Sequence, residues 1–240
     1  MSLQKKDFVE IEFTGKVKNS GVFDTNIEEE AKKIGIEIKT RPLIICLGEG
    51  MILPAIDEFL ISKELGSYVL ELKPEKAFGI RKRELIKIMP SNVFKKQGMA
   101  PSIGMVFSFD NTLGRVSSVS GGRITIDFNN PLAGKEVVYE IKTKRKVDEI
   151  NEKIKTLELY FFQKEFPFKV EEKKLVIEAG KKFCEFIKMF KEKFKEILDL
   201  EIMVEEVEEE EKSSVEENPE KKTEESGKIE KTAENDSKIS

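Results

Sequence analysis

The side chains best suited to chemistry in this chain are apolar and aromatic, with one carboxylate among them. They lie at the ends of apparent strands and at the start of a short helix: Phe13, Phe23, Ile52, Ile56, Phe78 and Tyr139. Asp24 directly follows Phe23. Such a set can enclose an apolar group and exclude water from it. The same residues also suit an ordinary core, with Asp24 as a turn or cap residue, so composition alone favours the core.

The composition excludes catalysis that depends on histidine. None of the 240 residues is His, which removes histidine triads and every zinc site that needs an imidazole. Two cysteines, Cys46 and Cys184, give neither a disulfide framework nor a four-cysteine metal site, and we expect buried, reduced thiols. Gly48-Glu49-Gly50 lacks the third glycine of a dinucleotide site, and no phosphate-binding loop occurs. We therefore expect no metal and no cofactor.

Charge and hydropathy limit the partners and the compartment. Residues 205–240 carry 14 acidic and 6 basic side chains, so a net charge of -4 for the whole chain leaves +4 for the first 204 residues. That balance argues against DNA binding. The polar start of the chain and the lack of an apolar run of about 18 residues predict a cytoplasmic protein with no membrane span. Residues 207–240 contain no aromatic side chain, which predicts a disordered acidic tail.

Apolar alternation predicts an antiparallel sheet into which a second unit is inserted. Strands are expected over 8–17, 43–47 and 68–72, with a short helix that begins at Pro54. Residues 80–130 contain a hairpin signal at Gly121-Gly122 and look like a separate unit. Alternation over 137–143 indicates a strand that completes the sheet begun at 8–17. Residues 148–206 follow the order helix, strand, strand, helix, strand, with one long helical stripe from Phe183 to Leu198.

Read together, several short motifs resemble a known family. Their order and spacing are similar to the FKBP-type peptidyl-prolyl cis-trans isomerases, over residues 6 to about 147: Phe13-Thr14-Gly15, Gly21-Val22-Phe23-Asp24-Thr25, Leu47-Gly48-Glu49-Gly50-Met51-Ile52-Leu53 and Pro74-Glu75-Lys76-Ala77-Phe78-Gly79. Further segments resemble the SlyD subfamily and its archaeal long-type relatives, in which an insert-in-flap domain replaces a loop: Met89-Pro90, Phe94 and Asn129-Asn130-Pro131-Leu132-Ala133-Gly134-Lys135. The pattern over 148–206 resembles the C-terminal domain of the long archaeal members.

The resemblance implies an α+β fold with three domains and a tail. An FKBP-like antiparallel sheet wrapped on a short helix is expected from 1–79 plus 131–147. A small β-rich chaperone domain is expected from 80–130, and a separate α/β accessory domain (α-β-β-α-β) from 148–206, before the tail at 207–240.

The resemblance also implies a proline pocket and a client-binding surface. The pocket would be lined by Phe13, Phe23, Asp24, Leu43, Ile52, Leu53, Ile56, Phe78 and Tyr139. The insert would bind unfolded chains through Met89, Phe94, Met99, Met105, Phe107 and Phe109, of which we expect about half to be core. This chain departs from the family where Ile56 replaces a common Trp, Ala55 a common Gly and Phe78 a Tyr. Its tail lacks the His and Cys of the SlyD metal-binding tail.

The expected function is therefore isomerisation of X–Pro bonds without covalent catalysis, coupled to chaperone activity. Partners would be unfolded or partly folded proline-containing polypeptides. A non-catalytic holdase or adaptor that retains the fold is the alternative. Self-association of the C-terminal domain into a homodimer stays open. A ribosome partner rests only on the insert's 8 basic against 3 acidic residues.

Overall fold

The chain is described here by a computed structural model that covers residues 2–36, 42–96 and 98–207. Those residues form two compact units, one of residues 2–77 with 135–207 and one of residues 78–134. Both units are mixed α and β, and antiparallel pairing dominates their sheets. The predicted tail, 207–240, lies outside the described residues from position 208 onward.

The first unit begins with a five-stranded antiparallel sheet. Its central strand β1 pairs with β2 and β3 along one side and with β9 along the other, and β9 pairs with β4. The prediction that a late strand completes the sheet begun at residue 8 is confirmed. The bounds are β1 Phe8–Val17, β2 Val22–Thr25, β3 Leu43–Cys46, β4 Ser67–Leu72 and β9 Val137–Val147, with helices α1 Glu28–Lys33 and α2 Pro54–Leu60.

Helix α2 begins where the sequence indicates. Pro54 occupies its first turn, where a missing N–H costs nothing because that group has no partner within the helix. Ile56, Asp57 and Leu60 are its buried residues. Two of them form an apolar stripe, and the third is a buried carboxylate that needs polar partners.

The C-terminal region, residues 148–207, packs on the first sheet and not as a separate domain. Phe8, Cys46 and Val147 belong to the same hydrophobic cluster as the buried side chains of this region. Its three-stranded sheet has the order β10-β11-β12, with β11 and β12 parallel. The bounds are α4 Ile150–Phe162, β10 Phe168–Glu171, β11 Lys174–Ala179, α5 Lys181–Lys188, α6 Lys191–Leu198 and β12 Glu201–Glu206.

The single long helix predicted from Phe183 to Leu198 is wrong, because α5 and α6 are two helices. Met189 and Phe190 separate them with φ/ψ of -65°/-21° and -97°/7°, close to helical values. The apolar period therefore continues in phase through the break, and no Gly or Pro marks it in the sequence. Cys46 and Cys184 are buried free thiols as predicted, and burial raises the pKa of Cys46 to about 12.

The second unit contains a four-stranded antiparallel sheet of order β5-β8-β7-β6. The predicted hairpin at Gly121-Gly122 is confirmed, since it joins β7 to β8. Phe94, Val116, Ile124 and Ile126 form the buried core of the unit. The bounds are β5 Ile86–Pro90, α3 Ser91–Lys95, β6 Val106–Phe109, β7 Thr112–Ser120 and β8 Arg123–Asp127. Across the described ranges of both units, every helix is too short or too polar to cross a membrane.

Candidate active site

A glycine on the central strand of the first sheet leaves room for two aromatic rings. Gly15 pairs with Asp24 on β2 and with Tyr139 on β9, so these three residues form a row across three strands. Directly opposed residues in antiparallel strands share one face of the sheet. A Cβ atom at Gly15 would lie 2.8 Å from Cζ of Phe23 and 3.0 Å from Cε1 of Tyr139. The two rings therefore occupy the space over Gly15, which we call the Gly15 face.

A β-bulge brings Phe23 to the same face as Asp24. Gly15 pairs with Asp24 while Lys16 pairs with Val22, which leaves Phe23 as the extra residue on β2. In a regular strand, neighbours point to opposite faces, but a bulge redirects one of them. The Phe23 ring meets the Tyr139 ring edge-on, with centroids 5.8 Å apart at 88°. Tyr139 also contacts Phe13, with centroids 6.1 Å apart.

The residues after Asp24 anchor β2 to β1. The Thr25 hydroxyl donates to the Phe13 carbonyl at 2.9 Å. The Asn26 side chain accepts from the Phe13 N–H at 2.7 Å and donates to the Ile11 carbonyl at 2.8 Å. These bonds fix the end of β2 and so the direction of Asp24. The sequence analysis gave neither Thr25 nor Asn26 this anchoring role, although Thr and Asn after a strand often bond to nearby backbone.

Asp24 and Tyr139 influence each other electrostatically. Asp24 is exposed at its edge strand, yet the apolar groups around its carboxyl raise its pKa by burial, while a hydrogen bond from the Thr25 backbone opposes that rise. Burial raises the pKa of Tyr139 to about 12, and the negative charge of Asp24 adds to the rise. At neutral pH the phenol therefore keeps its proton beside a carboxylate. The Gly15 face is apolar with one acid at its edge.

A buried carboxylate folds the turn that precedes α2. Asp57 is 5% exposed, and its two oxygens accept from the N–H groups of Gly48 at 2.8 Å and Gly50 at 3.2 Å. Both glycines have positive φ, 85° and 70°, so the turn over residues 47–51 suits glycine at these positions. We call it the 47–51 turn. Sequence reasoning missed Asp57, because no pattern marks a buried acid among surface acids.

The 47–51 turn leads directly into three of the predicted pocket residues. Ile52 and Leu53 are half-buried, and Ile56 is fully buried on α2. The Leu53 carbonyl accepts from the Ile56 N–H at 2.8 Å, which starts the helix. Among the described residues, no group accepts a hydrogen bond from the Leu53 N–H. Leu43 lies elsewhere on the sheet, opposite Ile11, and lines a cavity of about 250 Å³ beside α4.

Comparison with known proteins identifies the family of the chain. The sequence profile of the FKBP-type peptidyl-prolyl cis-trans isomerases matches residues 1–101, and that of the IF domain of FKBP26 matches residues 87–132. A short-type peptidyl-prolyl cis-trans isomerase of Methanocaldococcus jannaschii is 31% identical over 146 residues, which cover 59% of this chain and 92% of that protein. This chain belongs to the FKBP-type peptidyl-prolyl cis-trans isomerases. It is accordingly an isomerase of X–Pro peptide bonds.

More distant relatives carry related names. An FKBP-type 16 kDa peptidyl-prolyl cis-trans isomerase of Escherichia coli is 27% identical over 147 residues, which cover 59% of this chain and 91% of that protein. The FKBP-type isomerase SlyD of Helicobacter pylori is 22% identical over 129 residues, covering 52% of this chain and 63% of that protein. The resemblance to the FKBP-type family expected from the motifs is thus confirmed.

In the second unit of the isomerase, the predicted client-binding residues are mostly core. Phe94 is fully buried, and its ring centroid lies 5.5 Å from Phe107 and 6.2 Å from Phe109. Phe94 is therefore unavailable to a client in this conformation, which corrects its assignment as a client contact. Met89 and Met99 pack against the same core, and Met105 is 46% exposed.

The most exposed apolar side chains of this unit are ones that the sequence pattern did not single out. Ile88 and Leu113 are each 67% exposed, and Ile103 is 71% exposed. They stand in strands or loops whose alternation also fits a core, so only the structure separates them from Phe94. Phe78, the remaining predicted pocket residue, is half-buried at the start of this unit.

Proposed function

We propose that the Gly15 face is where the isomerase twists an X–Pro bond, and that its substrates are proline-containing polypeptides. The observation that carries the proposal is the pair of rings, Phe23 and Tyr139, held over a glycine with the Asp24 carboxylate at the edge. Phe13 extends this apolar surface. Ile52 and Ile56 are proposed as further walls, whereas a role for Leu43 and Phe78 stays a prediction from the family motifs.

An apolar face is sufficient for this reaction because no bond is broken. Resonance holds the amide planar with a barrier of about 18–20 kcal/mol. A twisted amide loses that resonance, and its carbonyl oxygen then carries less negative charge and depends less on water. A surface that grips the pyrrolidine ring and excludes water therefore stabilises the twisted state relative to the planar ones. The chain needs neither a nucleophile nor a proton donor for this step.

Asp24 has a separate electrostatic role in the proposal. In the planar amide, resonance places partial negative charge on the carbonyl oxygen. A carboxylate close to that oxygen repels the planar state more than the twisted state, which lowers the barrier. The Leu53 N–H, unpartnered among the described residues, would hold the substrate main chain while the bond turns.

We further propose that the insert, residues 80–130, is a chaperone domain that captures unfolded chains through its exposed apolar residues. Ile88, Ile103, Met105 and Leu113 offer that surface. Capture raises the local concentration of prolines near the catalytic unit. The buried free thiols fit a reducing compartment such as the cytoplasm.

The test is the refolding of a denatured protein whose slow phase is set by one X–Pro bond. The intact chain, a variant that lacks 81–128 and Asp24→Ala are compared at equal concentration, and a tetrapeptide substrate is assayed in parallel. We expect deletion of the insert to reduce acceleration of refolding sharply while tetrapeptide turnover persists. Asp24→Ala should reduce both rates.

The alternative function, a holdase that binds clients without isomerising them, gives a different result. Aggregation of clients would then be suppressed, while neither refolding nor the tetrapeptide is accelerated by the intact chain. Unchanged turnover in Asp24→Ala would instead remove Asp24 from the site.

A further inference from the structure

The 47–51 turn is held from outside by residues of the C-terminal region. Glu49 has a side chain only 4% exposed, and its carboxylate accepts from the ammonium group of Lys193 on α6 at 2.7 Å. Lys193 itself is 45% exposed. A carboxylate removed from water in this way depends on its cation, because burial without a partner is costly.

A second contact reaches the same turn from α4. The Tyr160 hydroxyl lies 3.2 Å from the Gly50 carbonyl and 3.4 Å from the Glu49 carbonyl, and it donates to them. The Tyr160 ring packs against Phe161, with centroids 5.0 Å apart. Tyr160 is 37% exposed, and its contact with Phe161, which packs against the core of the C-terminal region, ties the backbone of the turn to that region.

The third contact closes the network at the start of the turn. Lys193 lies 3.5 Å from Glu196, and the ammonium group of Lys6 lies 3.3 Å from the Glu196 carboxylate. Lys6 also donates its side chain to the Glu196 carbonyl at 3.0 Å and its backbone N–H to the Leu47 carbonyl at 2.8 Å. Helix α6 is therefore connected to both Leu47 and Glu49.

We propose that Lys193, Glu49 and Tyr160 are positioning residues of the isomerase, through which the C-terminal region sets the place of the Leu53 N–H. This inference rests on the proposed site, in which that N–H holds the substrate main chain. The turn ends two residues before Leu53, so a displaced turn moves the N–H with it. Asp57 holds the turn from the inside, and these three residues hold it from the outside.

The inference predicts an effect on substrate binding and little effect on turnover. The main-chain bond at Leu53 is made to planar and twisted substrate alike, so its displacement raises KM and leaves kcat nearly constant. A merely structural role gives the opposite pattern. Loss of folded chain lowers the apparent kcat at an unchanged KM.

The experiment measures kcat and KM of the full chain on a tetrapeptide with one X–Pro bond. Lys193→Met is expected to raise KM on the order of fivefold with kcat within about twofold, and Lys193→Arg to restore KM, since it keeps the ion pair. The matched control is Lys195→Met, which changes an exposed lysine of the same helix. Its KM and kcat should equal those of the wild-type chain. Tyr160→Phe removes only the hydroxyl and should raise KM about twofold.

A double variant, Glu49→Gln with Lys193→Met, shows whether the ion pair carries the effect. Its KM should lie near that of Lys193→Met rather than at the product of the two single effects. An unchanged KM in Lys193→Met and Tyr160→Phe would overturn the inference. Asp24→Asn is measured beside them. If Asp24→Asn lowers kcat while the KM of Lys193→Met and of Tyr160→Phe is unchanged, only the inference fails. If Asp24→Asn has no effect, the proposed site fails as well.

Discussion

Two glycines in different sheets lie beneath aromatic rings, and their surroundings differ. Gly15 lies under Phe23 and Tyr139 in the first unit. Gly114 lies in the second unit, where a Cβ atom would be 2.5 Å from Cγ2 of Ile126 and 2.8 Å from Cε1 of Phe128. Each glycine admits side chains that any larger residue would displace.

The difference lies in what borders the rings. The rings over Gly15 are bordered by the carboxylate of Asp24 on an edge strand, and its negative charge raises the pKa of Tyr139. The ring over Gly114 is that of Phe128, which packs against Phe109 with centroids 5.4 Å apart. Phe109 in turn packs against the buried Phe94. A group of aromatic residues is therefore not a site by itself. The charge at its border distinguishes the proposed site from this core, because the strand of Gly114 also contains a bulge, between Val116 and Ser118.

The largest effect is expected for Gly15→Ala. The new methyl group meets Phe23 and Tyr139 below van der Waals distance, so both rings must move. Because small displacements of positioning groups cost rates on the order of 100-fold, kcat/KM on a tetrapeptide should fall by about that factor. Gly21→Ala, in the neighbouring turn with no atom within 4 Å, is the control and should retain activity. Equal activity of the two variants would contradict the assignment.

Gly114→Ala should affect stability and client handling instead. Overpacking against Ile126 and Phe128 is expected to lower the free energy of unfolding of the second unit by about 1–3 kcal/mol. Tetrapeptide kcat/KM should stay within about twofold of the unchanged chain, while acceleration of proline-limited refolding declines. Denaturant unfolding and the two rate assays measure these effects. A loss of tetrapeptide activity as large as that of Gly15→Ala would break the comparison.

The sequence predicts the strands on which both glycines lie. It does not predict the bulge at Phe23, or the pattern of burial by which the surroundings of the two glycines differ. Period-two alternation indicates β1 and its late partner β9, and Gly121-Gly122 indicates the hairpin in the insert. Period two cannot show that Phe23 is bulged, since a bulge is defined by the partner strand. Burial of Phe94 and exposure of Leu113 follow from tertiary packing, which local alternation does not contain.

Asp24→Asn tests the charge at the border of the Gly15 face. Loss of the carboxylate should lower kcat about tenfold with the fold retained. The folded-state pKa of Asp24 is raised, so activity of the unchanged chain should fall on acidification at a pH above that expected for an ordinary aspartate. The variant should lack this step. Rates measured between about pH 4 and 8 decide the point, and a step that persists in the variant belongs to another group.

The smallest effect is expected at the exposed residues of the second unit. Leu113→Ser removes apolar surface that is in contact with water, so stability should change by less than about 0.5 kcal/mol. Affinity for an unfolded, proline-free client should fall roughly threefold if Leu113 contributes one apolar contact. Phe94→Ala is the contrasting variant, and it should lower the free energy of unfolding of the second unit by about 3–5 kcal/mol. Unchanged affinity in Leu113→Ser would show that Leu113 is not part of the client-binding surface.

The most direct test of the Gly15 face is an NMR titration of the labelled full chain with a tetrapeptide that carries one X–Pro bond. We predict cis–trans exchange peaks of the peptide together with shift changes at Gly15, Phe23, Leu53 and Tyr139. Catalysed exchange with shift changes confined to residues 78–134 would contradict the account, because the reaction would then take place without the row that Asp24, Gly15 and Tyr139 form.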